Sequence, residues 1–503
     1  MAVRSVGIDL SITGMHRAEA IDAAGQRCGH LSFGTTPEGL AALAALCFRD
    51  DSTPTIVLEP TGLVWLPIVL FLKARCPQAV VVRAKEQKVA ALRRVLTEHA
   101  KSDRIDALTL ARLPWVDPEH LEPLNLVSPE MQRLDRLTRR RDQLAASVGR
   151  RKTRLASYLM GVFPGLWECF EAPYNARARW TYRHCLNPFR VERMAVERIE
   201  NVFRRLTPHV SLAVIQREAV ALLAVSKRLA ATYRPARSAG LMADASFQTW
   251  TQEISMELDL VEAEEKQMSM LEEQIDELYS LIDPQNHLHT IPGVGPHIAP
   301  LLLAAVGDIG RFHDVKSFCQ WTGVLPRSHQ SSRTQFLGMG MAKAGPARVK
   351  KALFQAAEYA RRLDPEMAAI YFRQMVQHGK THRQAMGAVM SHVAARVYVV
   401  LKEKRAYELR GADGRPVTRL EARIFIREHL RVPEEIRKLR RQHNRPTKKS
   451  VRRDILNMIE GRPDDASTNE AAEAPQRGDA IPMRPKPQDN TEHRVRQLVA
   501  GPS

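Results

Sequence analysis

The stretch RSVGIDLSITG, residues 4–14, is an apolar run carrying one aspartate, Asp9, into a small polar turn. A run this short and β-prone, ending in a breaker, reads as a strand. A carboxylate at the end of such a strand needs a partner or a task, because an unpaired charge is costly to bury. The segments that follow have the same character. AEAIDAAG and RCGHLSFG suggest two further strands, and TIVLEPTG and AVVVRA are short β-branched runs bounded by breakers. Between and after them, EGLAALAALCF, LPIVLFLKARC and DRIDALTLARL carry helical patterns. Strands interleaved with helices predict a mixed sheet covered on its faces, an α/β domain over residues 1–120.

Beyond it the pattern becomes helical. In residues 129–159, Leu134, Val148 and Leu155 share one heptad register, and Leu137, Leu144 and Tyr158 another. In residues 250–282, Ile254, Val261, Met268, Ile275 and Ile282 recur every seven positions, joined by Leu271 and Leu278. The first segment is strongly basic and the second strongly acidic, so they are expected to pair, within one chain or between subunits. Residues 121–282 thus read as a coiled-coil or helical-bundle region, with an insertion at about 160–249 that carries no recognisable task. Residues 283–405 form a further, mostly helical block. Residues 406–460 make a basic extension containing IRKLRRQHNRPTKKSVRR, and residues 461–503 lose all periodicity and read as a disordered tail.

Charge narrows the partners. The 503 residues hold 75 Lys+Arg against 56 Asp+Glu, a net +19, which favours a polyanion such as nucleic acid. The six cysteines are scattered without a C-x-x-C pair, which argues against a zinc ribbon or a disulfide framework. The N-terminus has no apolar signal-like core, and a cytoplasmic chain without a membrane role is expected.

Asp9 has candidate companions. Glu59, in IVLEPTG, ends a second strand in the same context, and KSDRIDALTLARL supplies Asp103 and Asp106. Spaced i, i+3 on a helix, these two lie on one face, about 5–6 Å apart at Cβ. Ser102 is also placed to cap that helix, with Asp103 complementing its dipole. Four carboxylates in one domain would repel unless they bound something, and hard oxygen ligands select Mg²⁺ or Mn²⁺. Two such ions would polarise a phosphodiester. The competing reading, a phosphate loop of an actin-like or sugar-kinase-like ATPase, requires a second glycine-rich D-x-G loop that is not found and leaves Asp103 and Asp106 unused.

A second constellation lies downstream. TIPGVGPHIAPLLLAAVG is like a helix-hairpin-helix turn, in which Gly293 and Gly295 would let backbone amides approach a phosphate. GVLPRSHQSSRTQFLGMGMAKAGPARVKKALFQAA then sets Ser328, Ser331 and Ser332 among Arg327, Arg333, Lys343, Arg348, Lys350 and Lys351. Taken in order, GIDLS, LEPTG, KSDRIDA, a long helical region, IPGVGP and GVLPRSHQSS resemble the bacterial insertion-sequence transposases of the DEDD class. Those proteins join an RNase H-like, RuvC-like domain to a C-terminal serine-bearing transposase domain. The resemblance covers residues 3 to about 115 and 285 to about 400.

The resemblance implies a DNA recombinase. Its metal-ligating acids fall on Asp9, Glu59, Asp103 and Asp106, with Mg²⁺ or Mn²⁺ as cofactor, two ions per site. Its nucleophilic serine falls on Ser331, although the glycine usual after it is here Ser332, which leaves the two hydroxyls open. It also implies donor and target DNA, a structured bridge RNA that pairs with both, and a homo-oligomer, dimer or tetramer. Two other functions are consistent with the residues alone. One is a RuvC-like junction nuclease that hydrolyses with water, for which Ser331 is dispensable. The other is a non-catalytic nucleic-acid-binding protein.

Overall fold

The computed structural model describes residues 3–49, 53–59, 61–84, 86–97, 102–118, 121–124, 126–325, 329–331, 334–336, 345–411 and 413–441. The chain divides into two compact units, with the boundary between Leu126 and Val127.

The first unit is the expected α/β domain. Its elements are β1 (Val3–Asp9), β2 (His16–Asp22), β3 (Arg27–Phe33), α1 (Pro37–Cys47), β4 (Thr55–Leu58), α2 (Trp65–Arg75), β5 (Val80–Arg83), α3 (Glu86–Thr97), α4 (Asp103–Val116) and β6 (Glu122–Pro123). All five strands and three helices read from the sequence are present. The sheet has six strands in the order β3-β2-β1-β4-β5-β6. β1, β4 and β5 run parallel at its centre, while β2, β3 and β6 are antiparallel additions. Alternation along the central strands sorts their side chains between two layers. Val6, Ile8, Ile56 and Leu58 pack with residues of α1 and α2 on one face. Val57 packs on the other with Val89 and Leu92 of α3 and Leu110 and Leu113 of α4.

The second unit is helical. α5 (Pro129–Val162) starts at Ser128, whose hydroxyl accepts from the Met131 amide, with Pro129 in its first turn. After α6 (Ala176–His184), α7 (Pro188–Val191), α8 (Val196–Leu206) and α9 (Leu212–Ser238), the chain returns along α10 (Asp244–Ile282). α5 and α10 pair within one chain. Arg141 meets Glu272 at 2.9 Å, Arg151 meets Glu264 at 3.0 Å, Lys152 meets Glu265 at 2.6 Å and Arg154 meets Glu257 at 2.9 Å. The opposite charges of the two helices therefore neutralise each other intramolecularly. The insertion is a small helical module with its own core, which includes Tyr182, Phe163 and Phe203 and also takes Leu155 of α5 and Leu258 of α10. Inside it the Arg177–Glu218 pair is buried at 2.6 Å, and Arg177 also donates to the Thr207 hydroxyl.

The remaining elements are α11 (Ile298–Val306), α12 (Val315–Thr322), β7 (His329–Ser331), β8 (Thr334–Phe336), α13 (Ala347–Leu363), α14 (Pro365–Phe372), α15 (His382–Glu403), α16 (Arg419–His429) and α17 (Glu434–Arg441). Among the described residues, α15 alone is long and apolar enough to cross a membrane. Its Val389, Val393 and Val397 lie in the core of this unit, which accounts for the apolarity. The basic extension packs on the helical unit in its first part. Val432 and Ile436 are 2 % exposed and belong to that same core, so the chain through Arg441 is built into the domain. Two apolar anchors among so many charges are easily overlooked in the sequence. Residues 442–503 lie outside the described residues. All six cysteines are free thiols, and five of them are buried.

Candidate active site

β1 and β4 are parallel neighbours whose last paired residues are Ile8 and Leu58. The residues that follow, Asp9 and Glu59, therefore stand side by side at the C-terminal ends of adjacent strands, about 4.8 Å apart in the sheet. By alternation, Asp9 shares the face of Gly7, and Glu59 that of Val57.

That face is covered by α4, at very close range. A Cβ on Gly7 would lie 2.0 Å from the Ala107 carbonyl oxygen and 2.3 Å from the Ala111 amide. Only a residue without a side chain permits this approach. The first turn of α4 carries Asp103 and Asp106.

Ser102 caps α4 as the sequence suggests, accepting from the Ile105 amide at 3.3 Å. Asp103 is exposed, whereas the Asp106 side chain is 14 % exposed and accepts from Arg93 Nη1 of α3 at 2.6 Å. Asp9 and Glu59 thus end neighbouring strands, and Asp103 and Asp106 begin the helix packed on Gly7, four carboxylates of the oxygen type that hard divalent cations select. Among the described residues, however, no three His, Cys, Asp or Glu side chains stand at metal-holding spacing. The acids match such an ion in donor chemistry but do not form its site in this arrangement, in which Asp106 is held by Arg93.

Sequence reasoning missed several neighbours. Arg17 is paired directly across the ladder from Asp9, and Glu19 from Gly7. The Glu19 side chain is fully buried. Its Oε1 accepts from Arg17 Nη2 at 3.0 Å and its Oε2 from Arg27 Nη2 at 2.8 Å. A strand reading HRAEA, with an arginine two residues before a glutamate, puts both on one face, and that was the available signal. Arg93 had no such signal, since its partner is thirteen residues away on another helix.

In the helical unit, Gly293 has φ +91° and lies against α13, where a Cβ would come 2.2 Å from the Ala356 carbonyl oxygen. Its lack of a side chain serves helix packing. Gly295 borders open space, and its carbonyl accepts from the amides of Ile298 and Ala299 as α11 begins. Arg348 does not face solvent as a phosphate contact would. It donates to Asp135 Oδ1 at 2.6 Å and to the Thr138 hydroxyl at 2.7 Å, fastening α13 to α5. Lys351 is exposed, whereas partial burial lowers the Lys350 pKa. The backbone of Ser331 ends β7, paired with Thr334 of β8. Ser328, Ser332, Arg327, Arg333 and Lys343 lie outside the described residues.

Comparison with known proteins agrees with both halves of this arrangement. A transposase family of DEDD, IS110 type matches residues 6–164, and the family described as Transposase IS116/IS110/IS902 matches residues 285–372. The chain thus carries a domain like that of the DEDD insertion-sequence transposases over residues 6–164 and a second transposase domain over residues 285–372. More particularly, it joins the two domains of the IS110 type. It is 23 % identical over 411 residues to an uncharacterized 43.6 kDa protein of insertion element IS110 from Streptomyces coelicolor, covering 81 % of this chain and 96 % of that one. It is 29 % identical over 147 residues to the pilin gene-inverting protein of Moraxella bovis, covering 28 % of this chain and 46 % of that one. A transposase for insertion sequence element IS1111A from Coxiella burnetii is 30 % identical over 86 residues, 17 % of this chain and 23 % of that one. The alignment thus spans about half the length of the pilin gene-inverting relative and nearly all of the IS110 one.

Proposed function

We propose that the protein cuts and rejoins DNA through a serine hydroxyl, with Asp9, Glu59, Asp103 and Asp106 holding divalent cations, Mg²⁺ or Mn²⁺. The observation that supports this reading is the close contact of Gly7, two residues before Asp9, with Ala107 and Ala111 of α4, the helix whose first turn carries Asp103 and Asp106. Bound there, the cations would supply positive charge to a phosphodiester and lower the barrier to its displacement. Ser331, with Ser332 beside it as the alternative, would attack phosphorus. Its O–P bond forms as one P–O bond to deoxyribose breaks, the serine proton leaves, and the departing sugar hydroxyl gains one. The phosphoserine conserves the bond energy, so the reverse attack by another strand's hydroxyl rejoins DNA without an external energy source.

The partners in this reading are donor and target DNA and a structured bridge RNA that pairs with both. The net +19 suits a protein that holds several nucleic-acid strands. Gly295, Lys350 and Lys351, with Arg327, Arg333 and Lys343, would contact phosphates. Gly293 and Arg348 would support them from within the fold. The acids of one subunit and the serine of another would complete a site, which makes the active form an oligomer.

The test is incubation with Mg²⁺, element-end DNA, target DNA and RNA transcribed from the flanking non-coding region. A covalent protein–DNA adduct, lost in both Ser331→Ala and Asp9→Ala, is the expected result. An adduct that survives Ser331→Ala but not Ser332→Ala moves the nucleophile by one residue. Nicked DNA without an adduct, unchanged by either serine substitution, would leave a RuvC-like hydrolase using water.

A further inference from the structure

We propose that the outer face of α5 seats the phosphate backbone of duplex DNA, held by Arg133, Arg136, Arg140 and Arg150. This inference rests on the reading that the chain acts on DNA. Arg133 and Arg140 share one heptad register and Arg136 and Arg150 another, and the two rows are neighbours on the helix surface. All four arginines are exposed, and none meets a carboxylate among the described residues. The other charges of α5 beyond its first turn are already committed. Arg141, Arg151, Lys152 and Arg154 meet glutamates of α10, and Arg139 meets Asp135 at 2.8 Å. Asp135 and Asp142 both lie beside Arg348 of α13, at 2.6 and 3.7 Å. What α10 and α13 leave uncovered is a stripe with no acid in either row from Arg133 to Ser157.

A face that served only to meet water would gain from alternating signs, since opposite charges three or four residues apart support a helix and like charges weaken it. Arg133 and Arg136, and Arg136 and Arg140, are like-charged pairs at those spacings, so α5 keeps the stripe at some cost. A polyanion relieves that repulsion. Over the about 26 Å of helix from Arg133 to Arg150, duplex DNA presents about fifteen negative charges. Guanidinium forks match phosphate oxygens in pairs, which a lysine ammonium does not. Gln143, exposed between Arg140 and Arg150, adds a neutral donor of the kind phosphates accept from. A second copy of the chain is the poorer match, because Glu257, Glu264, Glu265 and Glu272 of α10 are already paired with α5. Contacts to phosphate carry no sequence information, so this face anchors DNA without reading it.

The experiment measures binding of the full chain to a fluorescein-labelled DNA duplex by anisotropy over a range of salt concentrations. It compares wild type with a stripe variant that combines Arg133→Gln, Arg136→Gln, Arg140→Gln and Arg150→Gln. A control combines Arg193→Gln, Arg198→Gln, Arg204→Gln and Arg205→Gln, which removes the same charge from exposed arginines of the insertion. Circular dichroism melting verifies that each variant is folded. The stripe variant is expected to bind at least about tenfold more weakly at physiological salt, with a salt dependence shallower by about 2–4 in log–log slope, while the control stays near wild type. Equal losses in the two variants reduce the effect to net charge and overturn the proposal. Unchanged affinity in the stripe variant, with wild type binding the duplex, overturns it and leaves the DNA reading standing. A loss seen only with a hairpin RNA, or only in self-association by sedimentation, also overturns it and gives the face to RNA or to a second subunit. Wild type that fails to bind the duplex even at low salt overturns the DNA reading itself, and this inference with it.

Discussion

The α5–α10 arm and the α/β domain both hold many carboxylates, and they treat them in opposite ways. On the arm, Glu257, Glu264, Glu265 and Glu272 each meet an arginine or lysine of the facing helix. Their charge is used up in choosing the helix partner. In the α/β domain, the ladder sets Asp9 beside Glu59, acid next to acid, and α4 begins with two more. In the proposed reading the acids at the strand ends and the helix start serve a ligand, whereas the acids of the arm are structural. Glu19 sharpens the contrast, because it lies on the same face as Asp9 yet is clamped by Arg17 and Arg27.

The comparison can be broken in several places. The largest effect is expected at the collected acids: Asp9→Asn should lower DNA strand cleavage by at least on the order of a hundredfold, with the urea midpoint nearly unchanged. A cleavage rate close to wild type would place Asp9 among the structural acids. Next comes the packing of α4 on β1 at Gly7. Gly7→Ala forces a methyl into the backbone of α4 and should cost about 3 kcal/mol of stability, measured by chemical denaturation of the full chain. If the variant is as stable as wild type, the close packing of α4 on β1 is not the constraint described.

Glu19→Gln removes the charge that two arginines share. It should destabilise by about 2 kcal/mol, discounted from the value for a fully buried pair because Arg17 and Arg27 are partly exposed. An unchanged melt would show Glu19 to be no clamp. The smallest effect belongs to the arm. Arg154→Ala breaks a half-exposed pair with Glu257 and should cost about 0.5 kcal/mol or less, with cleavage unaffected. A large loss of activity from this change would overturn the division between matched and collected acids.

Much of this was legible beforehand for identifiable reasons. Short β-branched runs between breakers marked the strands, and heptads of Ile and Val marked α10 and its partner. The four acids were nameable because each sits in a strand end or a capped helix start. The packing of α17 was not legible, since Val432 and Ile436 are too few to show a period. Arg348 read as a phosphate contact because it stands in a basic run, but Asp135 and Thr138 that bind it come from more than two hundred residues earlier.

The local elements and the chemistry of the acids were thus determined by the sequence alone, because strand alternation, helix caps and heptads act over a few neighbouring residues. Which charges meet was decided only in three dimensions. Gly7 reads in one dimension as a weak point in a strand, and only the descent of α4 onto it shows why no side chain fits there. The same docking set Arg93 against Asp106, a pairing between different helices that no local period encodes.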